Sequence, residues 1–294
     1  MASEREIRRR IRAVTSMAKT TNAMQLVAAS KMRRAQGRAL AARPYAGQLR
    51  ALLADVAAVV AGATDEGVDE RALHPLLERR TGPRTLILHI TPDRGLCGAL
   101  HANLNRRTGQ LALEHRGNVG IVAVGRKGRD FFVRLGHPLI AEFTKLGDYP
   151  EMADVLPITR LLMDEFTGGR FDRVVLVFAR FVSTVTQRPE VLHLLPIEPP
   201  AGVTGGHLDF IWEPSAEAVL SELLPRYVEM QVYEAVLENA ASEQSARMVA
   251  MKNATDAAKD MVDALTLEYN KARQDSITRQ LLDIVGGVAG VGQG

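Results

Sequence analysis

A single cysteine, Cys97, is the whole thiol inventory of this 294-residue chain. An internal disulfide is therefore excluded, and a reducing, cytosolic compartment suits that usage best. The seven histidines are scattered and form neither Cys-x-x-Cys nor His-Glu-x-x-His spacing, so no metal site is expected. Long apolar runs are also missing. The longest candidate, Ala51 to Ala63, contains Asp55 and falls short of the roughly 20 residues that span a bilayer. Glycine-rich phosphate loops are missing too: neither Gly-x-G-x-x-Gly nor the Walker spacing occurs, so no nucleotide cofactor is expected. Aromatic residues are scarce at 5 %, and none precedes Tyr45. The basic cluster Arg8-Arg-Arg-x-Arg12 with Lys31-Met-Arg-Arg34 thus lacks stacking partners for nucleic acid.

What is present is an ordinary globular balance, 46 % hydrophobic and 24 % charged, which excludes wholesale disorder. The net charge of +3 conceals a division. Residues 1–50 carry 12 Lys or Arg against 2 Glu, whereas residues 210–294 carry 13 Asp or Glu against 7 Lys or Arg. Glu4 and Glu6 interrupt the acid-poor pattern of a transit peptide, so the basic start is read as mature helix.

Both ends are written in heptads. A 3-4 repeat runs from Ile7 through Ile11, Val14 and Ala18 to Leu53, Val56 and Val60, broken only by Thr21 and Gln25. A period of 3.5 sustained this long specifies a coiled coil, with the two polar positions suited to setting register. A second walk runs from Leu223 and Tyr227 through Met251, Thr255 and Ala258 to Tyr269, Ala272 and Ser276. Pro44 lies inside the first pattern and predicts a kink rather than an end, while Pro225 in the second predicts a kink or a late start. Two oppositely charged heptad helices, joined by a domain that returns the chain, predict an antiparallel pair. The apolar stretch Leu281–Val285 lies past the reach of the first helix and calls for an external apolar partner.

Between the helices the texture changes. Strands are expected at Arg84–Ile90, Val119–Val124, Leu139–Phe143, Arg173–Phe178, Val182–Gln187 and Val191–Leu195. Helices are expected at Ala99–Glu114, Lys127–Leu135 and Ala153–Phe166. Alternating strands and helices indicate an α/β domain with a mainly parallel sheet. The fold expected is α/β: a long antiparallel coiled coil of N- and C-terminal helices plus a central Rossmann-like domain. Its parts are residues 1–65, 75–206 and 210–294. The turn Thr91–Gly98 then reads as an exposed contact loop that presents Arg94 and Cys97 to a partner. Two other classes remain in view: a dinucleotide-binding α/β enzyme and a basic coiled-coil nucleic-acid binder.

Specific motifs narrow this further. Ala23-Met24, Leu26–Gln36, Arg43–Ala46, Asp93–Gly98, Arg226–Glu229, Ala241-Ser-Glu243, Ala246–Met251 and Tyr269–Gln274 stand in order along the chain. Together they resemble the gamma subunit of F-type ATP synthases over essentially the whole length. The resemblance implies a non-catalytic rotor shaft without cofactor or metal, on the cytoplasmic face of the bacterial cell membrane as a peripheral subunit. Implied partners are the alpha and beta subunits of the catalytic hexamer, the epsilon subunit and the membrane ring of c subunits. It further implies that Arg273, Gln274 and nearby Thr278 meet a beta-subunit loop. Met24, Arg94 and Cys97 would lie near beta's moving acidic lever, and Asp209, Phe210, Ile211, Trp212 and Glu213 toward the membrane ring. Two positions depart from the pattern: Gln280 stands where many relatives carry Glu, and Pro92 where a small polar residue is common.

Overall fold

The computed structural model describes residues 4–63, 74–115, 118–198 and 212–291. The elements are α1 (Glu4–Ala63), a 3-10 turn (Pro75–Leu77), β1 (Thr85–Ile90), α2 (Leu100–Glu114), β2 (Val119–Val124), α3 (Arg126–Arg134), β3 (Leu139–Phe143), α4 (Met152–Thr167), β4 (Arg173–Phe181), β5 (Gln187–Leu195) and α5 (Ala216–Val291). Pro44 and Pro225 both sit within continuous helix. The chain divides into two compact units, residues 1–27 with 248–294 and residues 28–247. The expected coiled-coil fold with a central α/β domain is the one observed.

In the first unit the two heptad walks meet as written. Ile7 is buried, and Ile11, Val14, Ala18, Thr21 and Gln25 are half-buried. On α5, Met251, Thr255 and Ala258 are buried, and Val262, Leu265, Tyr269, Ala272 and Ser276 are half-buried. Thr21 and Thr255 hydroxyls lie 2.7 Å apart, and the Tyr269 hydroxyl donates to Glu4 at 2.8 Å. Rising number on one helix against falling number on the other makes the pair antiparallel. The threonine contact is a polar pin in an apolar seam, and register follows from it. Replacing Thr21 or Thr255 alone with Val is expected to cost about 1 kcal/mol. The double replacement should cost clearly less than the sum, measured by thermal unfolding as a double-mutant cycle. Additive losses would show that the two hydroxyls do not act together.

In the second unit the sheet order is β3-β2-β1-β4-β5. β1 pairs in parallel with β2 and β4, β2 with β3, and β5 closes the sheet antiparallel to β4. Alternate residues of β1 face opposite layers, as the pleat requires. Leu86, Leu88 and Ile90 pack with Val155, Ile158, Leu162 and Phe166 of α4, with Leu53 and Val56 of α1, and with Leu220, Leu224 and Val228 of α5. Ile87 packs on the other face with Leu100, Leu104 and Leu111 of α2.

One strand assignment changes. Val182–Gln187 is not a separate strand: Phe181 and Gln187 pair across a turn, and β5 runs unbroken from Gln187 to Leu195. The Thr and Val content of this stretch favours extended backbone, but Ser183 closes the turn by accepting the Thr186 N–H on its hydroxyl at 3.1 Å. Val182 and Val185 are left exposed at its tip.

The second unit also buries more of α5 than the seam predicts. β4 outruns β1, whose register ends at His89 against Val177. The Ala179 backbone stands opposite Pro189, which has no N–H to offer. Asn239 accepts the Ala179 N–H at 3.2 Å, and the Ser242 hydroxyl donates to its carbonyl at 2.8 Å. Helix side chains thus satisfy the strand where no neighbouring strand does.

Candidate functional site

In an open parallel sheet the carboxyl ends of the strands, where loops diverge, are the ordinary place for a ligand. Here that place is filled by the chain itself. After β1 the backbone runs through Thr91-Pro-Asp93. The Thr91 hydroxyl donates to the Val124 carbonyl at 3.0 Å and accepts the Gly128 N–H at 2.8 Å. One oxygen of Asp93 accepts the Arg126 N–H at 3.0 Å and the other accepts the Lys145 N–H at 2.9 Å. The amino end of α3, which in nucleotide-binding sheets faces a phosphate, is occupied by an internal carboxylate. The Lys127 N–H is bound as well, to the Pro92 carbonyl at 3.2 Å. This arrangement opposes the dinucleotide-enzyme reading on geometry as well as on sequence.

Beside Asp93 lies a mixed-charge cavity of about 310 Å³, lined by Asp93, Arg94, Arg126, Lys145, Gly147, Asp148 and Glu243. Glu243 is half-buried and paired with Arg247 at 2.6 Å, and Arg247 also donates to the Gly95 carbonyl at 3.3 Å. Burial pushes the Glu243 carboxyl above its ordinary range, with Arg247 opposing and Asp148 and Asp93 adding to the rise.

Below the loops, His89 is fully buried. Its Nε2 donates to Asn105 at 2.8 Å, its Nδ1 accepts from the Thr108 hydroxyl at 2.9 Å, and Phe132 stands edge-on to the ring. Burial pushes its pKa down from 6.5 to about 4, against which the Asn105 bond acts weakly. A depressed histidine pKa means the unfolded chain takes up the proton first. Stability from this site is full above pH 6.5, falls as pH drops toward 4, and can decline by about 3 kcal/mol over that window. Urea midpoints from pH 7 to 4 should fall less steeply in His89→Gln than in the native chain. Equal slopes would remove His89 from the account.

The sequence-derived contacts separate on inspection. Arg94 is exposed, as expected, and its neighbour Leu96 is 59 % exposed at a positive φ of 64°. Cys97 is not presented to a partner. It is 0 % exposed, packed with Ile87, Leu100 and Leu104, and its Sγ lies 3.8 Å from the Arg94 carbonyl. The turn aims it inward because Leu96 takes the outward position. Burial, with Glu243 adding, pushes its thiol pKa up, away from the nucleophilic thiolate.

In the other unit, Met24 is half-buried; Arg273 and Gln274 are exposed between the half-buried seam positions Ala272 and Ser276, and Thr278, just past Ser276, is exposed too. Gln274 and Thr278 are one helical turn apart and share a face. Past the Glu4–Tyr269 contact, α5 continues to Val291 with Leu281, Leu282 and Ile284 exposed. Asp209, Phe210 and Ile211 lie outside the described residues. Trp212 is half-buried against the core and Glu213 is exposed.

Sequence reading missed three contributors: Asp93 as a tie between loops, the Glu243–Arg247 pair, and a link from Lys31 to Asp148 at 2.7 Å. The spacing of Glu243 and Arg247, four apart on a helix, was a legible signal for the second. The first and third join residues 33 or more positions apart, and no local pattern announces them.

Comparison with known proteins is consistent in every direction. The family model described as ATP synthase matches residues 3–291. The ATP synthase gamma chain of Dehalococcoides mccartyi is 53 % identical over 289 residues, covering 98 % of this chain and 99 % of that one. The gamma chain of Chloroflexus aurantiacus is 47 % identical over 293 residues, with 98 % and 99 % covered. A chain in the central stalk and c-ring structure of the Tetrahymena thermophila mitochondrial ATP synthase aligns with a TM-score of 0.60 at 26 % identity. That alignment covers 80 % of this chain and 99 % of that one. A chain of the Euglena gracilis mitochondrial enzyme shares the fold, with a TM-score of 0.66 at 19 % identity over 98 % of this chain and 94 % of that one. Heptads, sheet and motifs thus converge on one assignment: the chain belongs to the gamma-chain family of ATP synthases.

Proposed function

We propose that this gamma chain is the rotating central shaft of its complex, coupling proton-driven rotation of a membrane ring to ATP synthesis and hydrolysis at the beta subunits. It performs no covalent chemistry. It stands on the cytoplasmic face of the bacterial cell membrane as a peripheral subunit, held by the alpha and beta hexamer, the epsilon subunit and the ring of c subunits. No described helix is long and apolar enough to cross a membrane. A two-helix shaft has no threefold symmetry, so three surrounding beta subunits meet three different faces and are driven to different nucleotide affinities.

The observation that carries this reading is the lone end of α5. There an exposed polar group, Arg273, Gln274 and Thr278, is followed by exposed Leu281, Leu282 and Ile284. An apolar tip beyond the helix pair needs a surrounding sleeve. A polar band below it suits contacts that form and release with each step. Arg273, Gln274 and Thr278 are assigned to a beta-subunit loop, Met24 and Arg94 to beta's moving acidic segment, and Asp209–Glu213 to the ring side. Cys97 supports the Arg94 loop from within the core and takes no direct part.

The test is reconstitution. Alpha and beta subunits with this chain should hydrolyse ATP in a manner that requires the chain, whereas the purified chain alone should show no saturable ATP binding at micromolar concentration. Tight ATP binding by the chain alone would sink the reading and favour the enzyme alternative. Salt-dependent binding to duplex DNA would favour the nucleic-acid alternative.

A further inference from the structure

The loops at the carboxyl ends of β1, β2 and β3 do more than fill a vacant ligand position. They reach outward and grip both long helices at one level. On the α1 side, Lys31 pairs with Asp148 at 2.7 Å, and the Arg34 guanidinium donates to the Tyr149 hydroxyl at 3.2 Å. Arg38 donates to the Tyr149 carbonyl at 3.1 Å while its guanidinium lies 5.1 Å from the centre of the Tyr149 ring. On the α5 side, Arg247 donates to the Gly95 carbonyl and is held in place by Glu243. Asp93 joins the two grips. It binds the N–H of Arg126 and of Lys145, so the β1, β2 and β3 loops are tied to one another.

From this geometry we infer that Lys31, Arg38, Asp93, Asp148, Tyr149 and Arg247 form a polar collar that locks the α/β domain against turning about the helix pair. The residues are positioning residues, and the inference rests on the shaft reading. Any one exposed ion pair is worth little, so a lock has to be a ring of contacts, several of them charge-assisted and directional. Apolar packing between a helix and a sheet resists separation but is non-directional. Sliding or rotation along such an interface is resisted by groups whose partners cannot be exchanged without loss. The collar places those groups where the α/β domain, turned by the ring, would transmit torque into the helices.

The test uses Lys31→Ala with Arg38→Ala, which removes two of the three α1 side chains that reach the collar, leaving Arg34 on Tyr149, without touching the assigned beta contacts. The conservative Lys31→Arg with Arg38→Lys serves as the control. In the free full-length chain, spin labels at exposed Arg33 on α1 and exposed Asp130 on α3, in a Cys97→Ala background, report the angle between helix and domain. The native chain and the conservative variant should give one narrow distance distribution, and the alanine pair a distribution at least twice as wide. An unchanged width overturns the lock. In the assembled complex the alanine pair should keep ATP hydrolysis within twofold of native while ATP-driven ion pumping falls at least threefold, with the conservative variant restoring it. A widened distribution with unchanged pumping, or with hydrolysis and pumping falling together, overturns the collar's role in coupling. A native complex that hydrolyses ATP without pumping refutes the shaft reading itself, and the label distances still decide the lock.

Discussion

Arg273→Ala combined with Gln274→Ala should leave the chain folded and the complex assembled, and should reduce ATP hydrolysis and ATP synthesis together by about tenfold or more. Both side chains are exposed while Ala272 and Ser276 beside them are half-buried in the seam, so their removal takes nothing from helix packing. Each charge-assisted hydrogen bond is worth roughly 1.5–3 kcal/mol, and every 1.4 kcal/mol is about a factor of ten. A planar guanidinium that stays charged at any physiological pH can grip a carboxylate with two parallel bonds, which a lysine cannot do. A shaft has to hold its surround during a step and release it afterward. Two strong directional bonds meet both needs, whereas a broad apolar seal meets only the first. The double variant is to be assayed for melting temperature, for assembly and for both reactions. Full activity in both directions would return Arg273 and Gln274 to the class of ordinary solvated residues.

Gly125→Ala is expected to be the most damaging single substitution in the α/β domain. Gly125 links β2 to α3 at a φ of 88°, a conformation that costs a side-chain-bearing residue strain. A Cβ there would also coincide with the Thr91 carbonyl oxygen, which is backbone and cannot turn away. Strain and overpacking each contribute about 1–3 kcal/mol. The sum, about 2–6 kcal/mol, is a large fraction of the roughly 5–15 kcal/mol margin of an ordinary domain. Because Gly125 donates to the Phe143 carbonyl at 2.8 Å, the loss should spread to β3 and to the Asp93 tie. Denaturant titration followed by far-ultraviolet circular dichroism gives the measure. A midpoint within experimental error of native would show that the loop re-forms around the methyl group.

Some of this molecule was legible before any coordinate. The heptads were, because a side chain's place in a helix pair depends on a period of 3.5 and on nothing distant. From Ile7 to Val56 the seam positions written in the sequence are the buried or half-buried ones. Buried parallel strands such as Val119–Val124 were legible as short apolar runs, and the family's polar motifs as an ordered set. The Val182–Gln187 strand was misread because Val and Thr favour extended backbone in turns and strands alike, and only the pairing of Phe181 with Gln187 separates the two.

Sequence alone therefore determined the helix pair, the alternation of the central domain and the family. Tertiary structure alone decided which way the Thr91–Gly98 turn faces, and so that Leu96 is exposed and Cys97 buried. It alone decided that Asp93 fills the position a ligand would take, and that Lys31 of the basic helix pairs with Asp148 of the α/β domain. The physical reason is range. Periodicity and propensity act over one or two turns of chain, whereas a carboxylate's partner is whichever donor the fold brings within 3 Å, and no local pattern records which distant residue that will be.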